Sequence, residues 1–164
     1  PLPTERYYEE EGRAELTPRD FGILMHRVFE NAATTDEIYT AIEAMTQDGV
    51  LDEKEAPRLR ELVEKALADP VTAEWFGGRW QVVRNENEII LPGSGTTRRP
   101  DRVMTDGERA VVVDYKFGDR ETARHRKQIR EYLHLLRQMG YTRTEGYLWY
   151  VRLGRTERVE EKED

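Results

Sequence analysis

Apolar positions recur at helical spacing through the first half of the chain and at alternate positions through much of the second. The run Thr17-Pro18-Arg19-Asp20 opens a helix, because Thr17 is a capping residue and Pro18 suits the first helical position. Phe21, Leu24, Met25, Val28 and Phe29 then form one stripe, which predicts a helix to about Asn31. Gly22 and His26, four residues apart, lie on one side of it beside the stripe. A glycine inside a helix costs about 1 kcal/mol relative to alanine, which points to a close neighbour there. A second helix is predicted over 35–47, capped by Thr34 or Thr35 and stopped near Gly49. A third covers 52–68, with Leu59, Leu62, Val63, Ala66 and Leu67 as its inner face, and a short turn follows Pro70 over 71–76. These later helices read as a structural cap without chemistry of their own.

After Gly77-Gly78 the period changes to two. Strands are predicted over 80–84 and 86–91, the latter with Glu86, Glu88 and Ile90 on one face, followed by a turn at Pro92-Gly93-Ser94-Gly95. The stretch from Arg99 to Gly118 then reads as a hairpin around Asp106-Gly107, because Asp-Gly between apolar runs is a strong two-residue turn signal. A loop of those two residues sets Thr105 opposite Glu108 and Asp101 opposite Val112. Val112, Asp114 and Lys116 share one face, and Asp101 joins them as a diagonal neighbour of Asp114, roughly 7–8 Å away. A helix over 121–139 follows, with Ile129, Tyr132, Leu133, Leu136 and Met139 as its buried stripe and Gln128 and Tyr132 on a shared face. A final strand spans 145–153, and 155–164 reads as a charged, frayed tail. Strands, a crossover helix and a further strand predict a mixed sheet with helices packed on it.

Composition narrows the class. The 164 residues fit one domain with a core of its own. The absence of cysteine excludes disulfides, thiolate zinc sites and iron–sulfur clusters, and fits a reducing cytoplasm. No run is apolar enough to span a bilayer, so no membrane partner is expected. The first residue is not Met, which fits a piece of a longer protein, and 1–16 reads as a linker or lead-in. A net charge of −7 argues against a general nucleic-acid binder, but the charge is uneven. From Arg98 to Arg130 there are ten Lys/Arg against six Asp/Glu, a basic zone around the hairpin.

Two carboxylates and a lysine beside a buried apolar strand cost free energy unless something pairs them, and a divalent cation does so. Carboxylate oxygens suit hard ions such as Mg²⁺ or Mn²⁺. Asp101, Asp114 and Lys116 therefore fit metal-assisted hydrolysis, with the lysine orienting water or offsetting charge on a phosphate.

Arg99-Pro100-Asp101-Arg102-Val103, then Val113-Asp114-Tyr115-Lys116-Phe117-Gly118, then Gln128 and Tyr132, resemble the PD-(D/E)XK nucleases. More narrowly they resemble the RecB-type nuclease domain at the C-terminus of AddA-, RecB- and UvrD/Rep-like helicases. The resemblance implies an α/β (α+β) restriction-endonuclease-like core over 17–154, with 34–76 as a helical insertion in it. It implies that Gly22 and His26 match the family's early helix, with His26 as a metal ligand. Glu86 matches the acidic residue of an earlier strand, with Glu88 as its rival. Asp101 and Asp114 would bind Mg²⁺ or Mn²⁺ together with the backbone carbonyl of Tyr115, and Lys116 would be the catalytic lysine. Gln128 and Tyr132 would support the site or contact DNA. Arg98, Arg99, Arg102, Arg120, Arg124 and Lys127 would stand by the phosphate backbone, through contacts that are salt-dependent and blind to sequence. The implied activity is a DNA nuclease, with exonuclease favoured, working with an ATP-dependent helicase region in repair or recombination. The lack of cysteines sets the chain apart from the iron–sulfur relatives. A second class remains open, a nuclease-like module that binds DNA or a partner without cutting.

Overall fold

The computed structural model describes residues 7–8, 14–15, 18–86, 99–118 and 123–161. The expected cap at Thr17, the strand expected over 86–91 beyond its first residue, the turn at 92–95 and the positions of Glu88, Arg98 and Arg120 lie outside the described residues. Two short strands, β1 (Tyr7–Tyr8) and β2 (Ala14–Glu15), pair antiparallel within the stretch read as a lead-in. Four helices follow: α1 (Pro18–Phe29), α2 (Thr35–Gln47), α3 (Glu55–Ala66) and α4 (Pro70–Trp75). Then come β3 (Val82–Asn85), β4 (Arg102–Asp106), β5 (Arg109–Lys116), α5 (Ala123–Gln138), β6 (Arg143–Tyr150) and β7 (Arg155–Val159).

Five strands form one sheet in the order β3-β4-β5-β6-β7. Neighbours are antiparallel except β5 and β6, which run parallel and are joined through α5. This is a mixed α/β domain with helices on its sheet, as a restriction-endonuclease-like fold requires. The local reasons are those of the sequence. Thr34 caps α2, its hydroxyl accepting from the Glu37 amide. Pro18 and Pro70 open their helices at positions where no amide hydrogen is missed. At the start of α3, Asp52 Oδ1 accepts from the amides of Lys54 and Glu55, and Glu55 Oε1 accepts back from the Asp52 amide.

The strand period sorts the core into two layers. Met104, Val111, Val113, Tyr115, Tyr147 and Trp149 face α1–α4, where Phe29, Trp75 and Phe76 pack against Trp149 at ring-centroid distances of 5.2, 5.6 and 5.9 Å. Val103, Ala110, Val112, Leu148, Tyr150 and Val159 face α5, which supplies Ile129, Tyr132, Leu133 and Leu136. The stripe of α1 is buried throughout. The close neighbour of Gly22 is Phe117, just past β5: a methyl group added at the glycine would stand 3.2 Å from Phe117 Cβ. That contact sets α1 against the open end of the hairpin.

Three expectations are corrected. The hairpin loop is Gly107-Glu108, and Asp106 pairs with Arg109. Gly107 has φ +59° and no non-glycine residue among those described has a positive φ. A loop with glycine at its first position meets that constraint; one centred on Asp106-Gly107 in the type I′ form would force Asp106 into the left-handed region. The register moves by two residues, so every side chain keeps its face. Arg102 pairs with Val113, and one more step sets Asp101 directly opposite Asp114 rather than diagonal to it. Second, the charged end of the chain is a strand, β7, antiparallel to β6 with Val159 buried. Its charges have partners: Glu157 accepts from Arg126 Nε at 2.7 Å, and Glu161 pairs with Arg137 and accepts from Thr144. Third, Met139 lies one residue beyond α5 and is half exposed, outside the stripe.

Candidate metal centre

The open end of the hairpin, the end of β3 and the middle of α1 converge. His26 Nε2 lies 3.6 Å from Glu86 Oε2 and 3.6 Å from Asp101 Oδ1. One ligand atom from each of the three falls within 4.8 Å of the others. Glu86 directly follows β3, Asp101 directly precedes β4, and His26 stands on α1 one turn after the glycine that seats the helix.

Behind this trio, Asp101 and Asp114 are tied by backbone bonds. The Asp101 amide donates to Asp114 Oδ1 at 3.2 Å, and the Tyr115 amide donates to Asp101 Oδ2 at 2.7 Å. That leaves Asp101 Oδ1 toward His26. Asp114 is 1% exposed, and its Oδ2 lies 3.9 Å from Lys116 Nζ. The face shared by Asp114 and Lys116 follows from strand alternation. The meeting of Asp101 with His26 and Glu86 follows from where α1 and β3 pack.

The electrostatics are those of an acidic cluster around one imidazole. The Asp101 carboxylate facing it, with Glu86 and Glu30 nearby, holds the His26 pKa above its usual value against the opposing effect of burial. Two carboxylates and an imidazole nitrogen form a donor set that fits a divalent metal cation, and the buried Asp114 adds a third carboxylate one step across the ladder.

The other expected residues divide. Arg99, Arg124 and Lys127 are exposed. Tyr132 is 2% exposed and lies in the core between α5 and the sheet, so it supports the fold and has no surface to offer DNA. Gln128 is half buried, and its Oε1 is a buried acceptor without a hydrogen-bond partner among the described residues. The backbone of Tyr115 holds Asp101, and its ring packs with Phe29 and Trp149.

Arg102 is not a DNA contact. It is fully buried, and its guanidinium donates to the carbonyls of Ala32 at 2.5 Å, Ala33 at 2.7 Å and Trp75 at 2.7 Å. Its charge stacks 4.0 Å from the centre of the Phe76 ring. These carbonyls lie just past α1 and at the end of α4, where helix dipoles favour a cation. Alternation carried a usable signal: Arg102 shares parity with Met104, on the face that meets the helices. Sequence reasoning also missed Glu30, whose Oε2 lies 3.7 Å from His26 Nδ1. The i,i+4 spacing on one helix was the available sign.

A mixed sheet bearing a carboxylate pair and a lysine on its central hairpin, with a histidine brought in by an early helix, defines a nuclease-type domain. The chain belongs to the PD-(D/E)XK nuclease superfamily, which matches residues 4–164. No curated protein gives a significant match to the chain. No helix of the described residues is long and apolar enough to cross a membrane.

Proposed function

We propose that this domain is a divalent-metal-dependent deoxyribonuclease. The observation that carries the reading is the meeting of His26, Glu86 and Asp101 beside the buried Asp114 and Lys116. His26 Nε2, Glu86, Asp101 and Asp114, with the Tyr115 carbonyl, would hold Mg²⁺ or Mn²⁺. Such an ion supplies Lewis acidity toward a phosphoryl oxygen and lowers the pKa of water. The chain's own residues do the rest. The Tyr115 amide fixes the Asp101 carboxylate, so its free oxygen faces His26. Lys116, held beside Asp114, offsets charge that builds on the phosphate and orients the attacking water. Arg99, Arg124 and Lys127 stand exposed to bind the phosphate backbone, through contacts that weaken as salt rises.

The order of motifs supports a RecB-type exonuclease that works beside an ATP-dependent helicase region in cytoplasmic DNA repair or recombination. The test is Mn²⁺ titration by calorimetry, then incubation with linear single- and double-stranded DNA and Mg²⁺ or Mn²⁺. Metal-dependent cleavage that starts from DNA ends is expected. Mn²⁺ binding without cleavage would replace this reading with that of a non-cutting DNA- or partner-binding module. No Mn²⁺ binding would remove the metal centre itself.

A further inference from the structure

The two nitrogens of the His26 ring are divided between two environments. Nε2 faces the cluster, 3.6 Å from both Glu86 and Asp101. Nδ1 faces away from it, 3.7 Å from Glu30 Oε2, one helical turn further along α1. Glu30 meets the ring at Nδ1 and is outside the trio that gathers at Nε2, the place of a group that orients a ligand rather than of a ligand. An imidazole that binds a metal through one nitrogen commonly donates its other N–H to a carboxylate, which fixes the tautomer, sets the ring plane and raises ligand basicity.

We infer that Glu30 is the positioning residue of the metal centre: it accepts the Nδ1 proton of His26 and so presents a deprotonated Nε2 to a divalent cation. This rests on the proposal above that His26 is a ligand. The contact lengthens or shortens with small rotations of two side chains that are 40% and 37% exposed, so the surrounding core leaves room for it to tighten when the ring is held from the other side. Helix α1 supplies the rest of the rigidity. The helix is seated at Gly22 on Phe117, and the carbonyls just past its end are gripped by Arg102. His26 and Glu30 sit between these two fixings, which leaves the ring torsion as the freedom that Glu30 governs.

The experiment is Mn²⁺ affinity, read by calorimetry and by the electron paramagnetic resonance of free Mn²⁺, without DNA. The proteins are wild type, Glu30→Gln, Glu30→Ala, His26→Ala and the His26→Ala/Glu30→Ala pair. Loss of an outer carboxylate of this kind weakens metal binding about 10–100-fold. Glu30→Ala is expected to fall in that range. Glu30→Gln, which keeps an acceptor oxygen, should lie between it and wild type. In the His26→Ala background, adding Glu30→Ala should change nothing further, because the effect passes through the ring. Unchanged affinity in Glu30→Ala overturns the inference. So does an equal loss in Glu30→Gln and Glu30→Ala, or a full loss that persists without His26, since both describe a distant charge and not an oriented ring. If wild type itself binds no Mn²⁺, the metal-centre reading fails, and this inference falls with it for that separate reason.

Discussion

The two ends of the β4–β5 hairpin handle charge in opposite ways. At the turn end, Arg109 opens β5 between two glutamates. Its Nε donates to Glu145 at 2.6 Å and a terminal nitrogen to Glu74 at 2.8 Å, with the guanidinium 4.9 Å from the centre of the Trp80 ring. The match shows in the protonation preferences. The two hydrogen-bonded carboxylates raise the Arg109 pKa, and burial of Glu145 is outweighed by its bonds from Arg109 and Tyr147, so that its pKa is lowered. At the open end, Glu86, Asp101 and Asp114 gather around His26 and Lys116, with Glu30 behind the histidine. Arg102 stands one residue from Asp101, yet its guanidinium is turned into the helix ends and its charge is spent on backbone carbonyls. One end is neutralised by its own side chains, whereas at the other the cation nearest in sequence is withheld. Opposite charges held together mark a structural joint. Like charges held together mark a place where a cation from outside is expected.

The largest break in this comparison is catalytic. Asp114→Ala or Lys116→Ala should cut metal-dependent DNA cleavage by roughly 10²–10³-fold or more while the purified variants keep the native fold by circular dichroism. Cleavage at the wild-type rate by either purified variant would defeat the assignment. Next comes Arg102→Met, which keeps the aliphatic bulk but leaves three carbonyls, two buried and one part-buried, without their donor. We expect a loss of about 3–5 kcal/mol in unfolding free energy from urea titration. A loss below about 1 kcal/mol would mean that water satisfies those carbonyls and that the arginine is no joint.

The third effect is one of pH. Without metal, the raised His26 pKa stabilises the fold below the unfolded value of 6.5, and this contribution is lost as pH rises through the folded value. With Mn²⁺ the sign reverses, because the proton must leave before the ring can ligate. Mn²⁺ affinity should fall as pH drops below the folded pKa, approaching about tenfold per pH unit, and level off above it. A flat profile across that window, or the same profile in His26→Ala, would exclude His26 as the ligand. The smallest effect belongs to the neutralised end. Arg109→Met should cost about 1 kcal/mol, as partly exposed ion pairs do, and leave Mn²⁺ affinity unchanged. Altered metal binding would show that the two ends are coupled.

Much of the fold was legible because local signals agreed with the tertiary result. The α2 boundaries, the stripes of α1 and α5 and the buried valines of β5 follow from periodicity and capping alone. The strand β7 is hidden in the sequence because charge masks its alternation: Thr156, Glu157 and Arg158 look like surface, and it takes β6 beside them to supply a ladder and Arg126 a counter-charge. The hairpin register slipped by two because a glycine at the first loop position and a glycine at the second both fit an Asp-Gly pair. The sheet period hid the slip, since a shift of two preserves every face.

For the site, strand alternation by itself placed Asp114 and Lys116 on one face and Asp101 with them, because side-chain direction in a strand is a local property. It also determined that Arg102 points the opposite way. What lies across space was decided by packing. Nothing in a spacing of 75 residues brings His26 to Asp101; that distance closes because Gly22 lets α1 settle on Phe117 and Arg102 ties the chain beyond α1 to α4. The sequence therefore determined which residue types share a surface, and the tertiary structure decided which surfaces meet. Burial drives helix onto sheet without regard to chemistry, and only the completed packing sets a nitrogen 3.6 Å from two carboxylates.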